Sequence, residues 1–406
     1  DIYNRYGYDI KTGSSIDVDT NRTFPLYPSG TGKITLHQNM FGNLDRIRSA
    51  YANLGYTYDN KYTVSGSARI DGSNYFGVKT NQKNVPLWSV GALWHLGRES
   101  FYKLDWLPIL KLRVSYGYNG NLDKRYTGIT TFKKNALLAN YTNLPFASII
   151  NIGNPELRWE KIGITNFGLD FAFKDQAVSG KIEYYTKRGT DILGDKAFAA
   201  STGIKVLRGN YSEMESSGID LSLDSRNLKG ALKWQSNFMF SIVHDRVTVY
   251  EVTQPNNIYY VGVYNGNPVV DKPVYGIYSY KWAGLDPLNG DPRGYLKGEI
   301  STNYKGIFDE TSIADLEYNG PARPTIFGAL NNSFSFKNFT LGINLIYKFG
   351  YFFRKPSVNY YDMYNDILGN NMNADFGRRW QKPGDENITN IPSMPNYSNS
   401  DNGRDR

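Results

Sequence analysis

Residues Thr165 to Lys187, TNFGLDFAFKDQAVSGKIEYYTK, alternate between apolar and polar almost without a break. Phe167, Leu169, Phe171 and Phe173 fall on one face; Asn166, Gly168, Asp170 and Lys174 fall on the other. After Lys174-Asp175-Gln176 the pattern resumes, with Val178, Ile182 and Tyr184 opposite Ser179, Lys181 and Glu183. A period of two belongs to a strand with one face kept from water. The pattern recurs. Tyr62, Val64, Ala68 and Ile70 alternate with Thr63, Ser65, Ser67 and Arg69, and Leu110, Leu112, Val114 and Tyr116 with Lys111, Arg113 and Ser115. Ile219, Leu221 and Leu223 face away from Asp220, Ser222 and Asp224; Leu341, Ile343, Leu345 and Tyr347 face away from Thr340, Gly342, Asn344 and Lys348.

This periodicity predicts strands at 46–58, 61–71, 86–96, 109–118, 158–173, 177–190, 214–225, 231–245, 325–336 and 339–353. Most are about twice as long as the five or six residues usual in soluble sheets. A strand that crosses a bilayer at its tilt needs about 9–11 residues. Tight turns are expected at Asp59-Asn60, Lys174-Asp175-Gln176, Arg226-Asn227-Leu228 and Lys337-Asn338. Long polar connections are expected at 119–157, 191–213, 246–324 and 354–406. Short and long alternate, which puts the turns at one end of an antiparallel sheet and the large loops at the other, as in outer-membrane barrels. The stretch PVYGIYSYKWAGLDP (273–287) reads as a strand but would break this parity. It is assigned to the large loop, as a hairpin with the residues after Pro292, turning at Asp286-Pro287 and Asn289-Gly290-Asp291-Pro292.

The expected fold is therefore all-β, a transmembrane antiparallel β-barrel. Phe167, Leu169, Phe171 and Phe173 would touch lipid and their polar neighbours a lumen, with aromatic girdles at the strand ends. Tyr56, Tyr58, Tyr184, Tyr185, Tyr347, Tyr351, Phe352 and Phe353 are the expected girdle residues. Composition agrees. Mean hydropathy is −0.50, so no helical membrane span stands out, and aromatic residues make up 15%, which strands use more than helices. No run of about 18 apolar residues marks a helical span. The absence of Cys removes disulfides and thiolate metal sites, and fits an exported chain. The net charge of +8 is spread out, with no basic run, so nucleic acid is not an expected partner. The chain opens on Asp1 without a leader-like segment, so a processed chain or a piece of a longer one is expected.

Candidate chemistry is sparse. His37, His95 and His244 have no metal-ligand spacing, and His244 and Asp245 are strand neighbours that point to opposite faces. GTGK (30–33) lacks the first Gly and the Ser or Thr of a phosphate loop. Asp286, Asn289 and Asp291 lack the spacing of a calcium loop and read as a turn. No catalytic residue, metal ligand or cofactor is expected, and the protein is not expected to be an enzyme. The loops carry Tyr141, Tyr259, Tyr260, Tyr264, Tyr360, Tyr361 and Tyr364 among Asn, Gly and Asp. Such rings stack on sugar faces or peptide side chains, and these tyrosines are weak candidates for substrate binding, against a plain packing role.

Several stretches resemble the SusC/RagA-type TonB-dependent outer-membrane transporters of Bacteroidetes. They are ARIDGSNYFG (68–77), PLWSVGALWHLGRESFY (86–102), LKLRVSYGYNGN (110–121), NPELRWEKIGITNFGLDFAF (154–173), KIEYYTKRGTDIL (181–193), YGIYSYKWAGLDPLNGDP (275–292) and RWQKPGDE (379–386). They occur in the family's order. The resemblance is to the C-terminal part of a barrel of about 22 strands, so residues 1–406 are read as that part, without the plug domain. It implies import of a glycan, an oligosaccharide or an oligopeptide. It also implies a SusD-like surface lipoprotein as partner and coupling to TonB-ExbB-ExbD through an N-terminal region outside these residues. Outer-membrane lipid would surround the barrel; a dimer of transporter–lipoprotein pairs is left open. Two other readings stay open: a self-contained outer-membrane pore or surface β-barrel enzyme, and a soluble β-rich glycan-binding or adhesin module.

Overall fold

The computed structural model describes residues 2–12, 23–25, 30–33, 38–74, 84–123, 128–135, 144–197, 206–251, 257–262, 267–365 and 373–395, with positions 142, 199, 201 and 404. Its main sheet has eleven strands: β1 (Ile2–Thr12), β2 (Gln38–Tyr58), β3 (Tyr62–Ser73), β4 (Asn84–His95), β5 (Ile109–Asn121), β6 (Glu160–Ala172), β7 (Val178–Ala197), β8 (Val206–Lys229), β9 (Leu232–Val249), β10 (Ile326–Phe336) and β11 (Phe339–Phe349). Hydrogen bonding orders them as they come in the chain. Ten match the strands expected from alternation. The addition is β1, where Ile2, Tyr6, Tyr8 and Ile10 share one face but Asn4 interrupts the pattern.

Backbone packing divides the chain into two units. The first comprises 1–55, 65–90 and 117–161. In it the Ser67 and Ser89 hydroxyls meet at 2.7 Å, Arg69 Nε pairs with Asp71 at 2.6 Å, and Thr131–Lys134 pairs with Ala147–Asn151 as a loop hairpin. The second comprises 56–64, 91–116 and 162–406. Here the register is explicit. Tyr184, Ile219, Ile242, Ile326 and Phe349 form one row across β7 to β11, and Ile182, Leu221 and Phe240 another. On the opposite face Asp224, Asn237, Asn331 and Asn344 form a row, as do Glu183, Asp220 and Ser241.

The apolar face is uncovered. Phe167 is 52% exposed, Leu341 60% and Leu345 56%, while Leu169, Phe171 and Phe173 are half-buried beside their neighbours in the sheet. Among the described residues the buried apolar side chains are mostly outside the main sheet: Leu157, Trp159, Tyr260, Tyr278, Leu285, Ile307, Leu316, Tyr360 and Trp380. A soluble sandwich would bury its strand residues against a second sheet. Leaving one large apolar side chain in water forgoes about 1.5–3 kcal/mol. A whole face of them is stable only against hydrocarbon.

The short connections of this unit carry rings. Tyr62 stacks on Trp94, Trp94 meets Phe101, Trp106 meets Phe173, and Trp234 stacks on Phe334. Of the rings expected as a girdle, Tyr347 stacks on Phe238 and on Phe349, and Tyr351 meets Phe353. Turn chemistry follows the sequence at Asp59-Asn60, with φ of 49° and 52°, and at Lys337, with φ of 51°. Two details differ. The expected turn at Arg226-Asn227-Leu228 is instead a bulge in β8, which runs on to Lys229. Pairing of β7 with β8 also continues from Leu193↔Asn210 to Ala197↔Val206, inside the stretch expected as the 191–213 loop. Leu193, Ala197, Val206 and Leu207 there do not alternate cleanly with their polar neighbours, so the period-two signal is lost, but the ladder continues and Arg208 pairs with Asp195 at 2.7 Å.

Candidate functional site

The polar face holds its strands together with fixed charge. Arg113 on β5 donates through Nε and Nη2 to both carboxylate oxygens of Asp170 on β6, at 2.9 and 2.8 Å. The same Nη2 reaches Glu183 on β7 at 2.7 Å. Gly168 makes room: a Cβ there would lie 2.9 Å from the Arg113 Nη2. A strand glycine marking such close approach is a general feature of sheets. Three of the motif stretches thus converge on one ionic cluster. Sequence reading placed Asp170 and Glu183 on the polar face without bringing them to Arg113; their shared face and motif context were the available signal. Nearer the turns, Asn237 donates to Asp224 at 2.8 Å and Asn331 donates to Asn237 at 3.2 Å.

At the other end of these strands the large connection between β9 and β10 is a folded module. Gly276–Ser279 pairs with Glu317–Pro321, and Tyr260, Tyr278 and Leu316 form its buried centre. Among the described residues the hydroxyls of Tyr278 and Tyr280 find no hydrogen-bond partner. Burial, with Asp309 adding, pushes the Tyr280 hydroxyl up to about 12 and raises Tyr278 as well. Of the hairpin expected between 273–287 and the residues after Pro292, the turn end is present: Ala283 N–H donates to the Arg293 carbonyl, Arg293 N–H to the Gly284 carbonyl, and Asp286 N–H to the Asp291 carbonyl at 2.8 Å, whereas Gly276–Ser279 takes Glu317–Pro321 as its partner instead. Asp286 Oδ1 caps Leu288 N–H and Asn289 Oδ1 caps Asp291 N–H, so these oxygens serve the turn. The Asp291 carboxylate faces the buried guanidinium of Arg404 at 3.1 Å. RWQKPGDE folds onto this turn. Gly290, at φ 74°, lies under Trp380, and a Cβ there would come within 2.3 Å of the indole. Trp380 Nε1 donates to Glu386 at 3.2 Å. The backbone N–H groups of Glu386 itself and Gly384, with that indole, hold the carboxyl below its usual range.

The loop tyrosines divide. Tyr260 and Tyr360 are buried; Tyr360 Oη donates to the Pro392 carbonyl and its ring meets Phe376 edge-on. Tyr259 and Tyr361 are exposed. Tyr141, Tyr264 and the side chain of Tyr364 lie outside the described residues, as does His37. His244 and Asp245 pair with successive residues, Ser217 and Ser216, and so occupy opposite faces of β9.

The model of the TonB dependent receptor-like β-barrel family matches residues 1–304. The chain is 24% identical over 355 residues to the TonB-dependent receptor SusC of Bacteroides thetaiotaomicron, covering 83% of this chain and 33% of SusC. It is 25% identical over 339 residues to the TonB-dependent receptor P3 of Formosa agariphila, covering 77% of this chain and 32% of that protein. The chain spans about a third of the length of these relatives. A structure of the RagAB peptide transporter is similar in fold, with a TM-score of 0.72 and 21% identity over 92% of this chain and 40% of that one. These relatives are receptors and transporters, not enzymes. With the two-faced sheet already described, the match establishes that this chain belongs to the TonB-dependent receptor β-barrel family, SusC/RagA-like in kind, and is part of an outer-membrane barrel.

Proposed function

We propose that the chain serves TonB-dependent active import of a nutrient oligomer, an oligosaccharide or an oligopeptide, across the outer membrane. Its polar face lines the path, a plug fills the barrel at rest, and TonB-ExbB-ExbD supplies energy through that plug. The large connections, above all the described parts 257–262, 267–325, 350–365 and 373–395, lie on the cell surface and dock a SusD-like lipoprotein. One observation carries this reading: long strands whose apolar face is bare, joined by tight turns at one end and by folded modules at the other. A passive pore needs no such modules, and a soluble module would not leave that face bare. RagAB is described as a peptide transporter, which supports an oligomer as cargo. Tyr259 and Tyr361, exposed on the loops, are the first candidates for contacting it.

The test is growth. Deleting the gene for this chain should abolish growth on one class of oligosaccharide or oligopeptide supplied as sole nutrient, and removing TonB should do the same. Undiminished growth on every oligomer overturns the reading. Uptake that persists without TonB replaces it with a passive pore.

A further inference from the structure

Where the polar face meets the loop module, a recess opens among Val243, Tyr275, Pro321, Arg323, Phe327 and Lys348. Its floor is sheet. Phe327 pairs with Ser241 on one side and Lys348 on the other, in the polar rows of β9, β10 and β11. Its wall is loop. Gly276 pairs with Pro321, and Ala322 N–H donates to the Tyr275 carbonyl at 2.8 Å. This fixes Tyr275 beside Arg323, whose guanidinium carbon lies 3.5 Å from the ring centre. Stacking leaves the in-plane N–H donors of a guanidinium free to bind and reduces the entropy lost when they do. Among the described residues neither Arg323 nor Lys348 has an ion-pair partner. Asp245, the carboxylate at the rim, accepts from Val274 N–H at 3.0 Å and so is engaged by backbone. The recess therefore presents two cations beside two aromatic rings, with one backbone-bonded carboxylate at its rim and proline-stiffened walls.

We infer that this recess binds a carboxylate group of the imported oligomer. The inference rests on the proposal that the polar face lines an import path. Arg323 and Lys348 take the carboxylate oxygens, and Tyr275 and Phe327 lie against the adjoining apolar surface. An acidic peptide side chain and a uronic acid sugar offer the same group, so the probes must separate them.

The experiment is calorimetric titration of the full-length protein carrying this chain, in detergent, with triglutamate, trigalacturonate, triserine and maltotriose. At least one acidic probe should bind more tightly than its neutral counterpart, and less tightly as salt is raised. Arg323→Gln with Lys348→Gln should weaken that probe about tenfold or more while leaving neutral probes unchanged. Which acidic probe responds identifies the source of the carboxylate. If neither acidic probe outbinds its neutral counterpart, or if the variant binds acidic probes as the unaltered protein does, the inference is overturned. Should the double variant fail to fold, Lys348→Gln alone, altering an exposed strand side chain, carries the comparison. Binding needs no TonB, so the two proposals fail separately. Acidic binding without a growth defect defeats import alone; import of neutral oligomers without acidic binding defeats this site alone.

Discussion

Arg113 shows how a single side chain can register three strands. Its fork engages Asp170 in two parallel bonds and Glu183 in a third, each partner about a fifth to a third exposed. Replacing it with Met keeps the stem and removes every donor, leaving two carboxylates close together. Removing one partner of a fully buried pair costs about 3–5 kcal/mol. Partial exposure on a water-facing surface screens the repulsion, so about 1–3 kcal/mol is expected here. Arg113→Met should lower the thermal midpoint of the full-length protein in detergent. Adding Asp170→Asn and Glu183→Gln should restore part of the loss, because no unpaired charge then remains. Lys at this position should recover less than Arg, having no planar fork. If Arg113→Met melts with the unaltered protein, the cluster is ornamental.

At the level of elements, the strands were legible and the loops were not. Alternation is a local signal, and it located β6, β9 and β11 to within a few residues because each has one greasy face. It was silent on the outer ends of β7 and β8, where Gly194, Asp195, Gly209 and Arg208 pair with no hydrophobic contrast. It was silent too on the site, since the contact of Tyr275 with Arg323 joins residues whose nearness depends on the loop fold. The hairpin at 284–293 was readable from its turn residues, but what packs on it was not. That packing gives a sharp prediction. Gly290 adopts a left-handed φ and lies against Trp380. Gly290→Ala should cost about 1 kcal/mol for the backbone alone and about 1–3 kcal/mol more for displacing the indole. Hydrogen exchange should speed up in 283–293 and 379–391 while the strands stay protected. Unchanged exchange in both segments would show that the two turns do not depend on each other.

For the molecule as a whole, everything turns on which solvent meets which face. Phe167 and Leu341 stand on the uncovered apolar face, whereas Ser241 stands in the polar row with Asp220 and Phe327. In a soluble protein both faces would meet water, and a new charge on either would be tolerated about equally. In a bilayer the faces differ sharply. Arginine on the lipid face near the midplane costs about 2–4 kcal/mol, because its charge must leave water or deform the membrane to keep it. On a lumen face it stays hydrated. Phe167→Arg should therefore reduce the folded fraction recovered from the outer membrane of cells making the full-length protein, read as heat-modifiable migration on a gel. Ser241→Arg should leave that fraction near the unaltered level. The contrast controls for general damage, since both changes put the same bulky cation on a strand. Equal losses at the two positions would mean that both faces are dry, and equal tolerance that both are wet; a membrane-spanning strand allows neither.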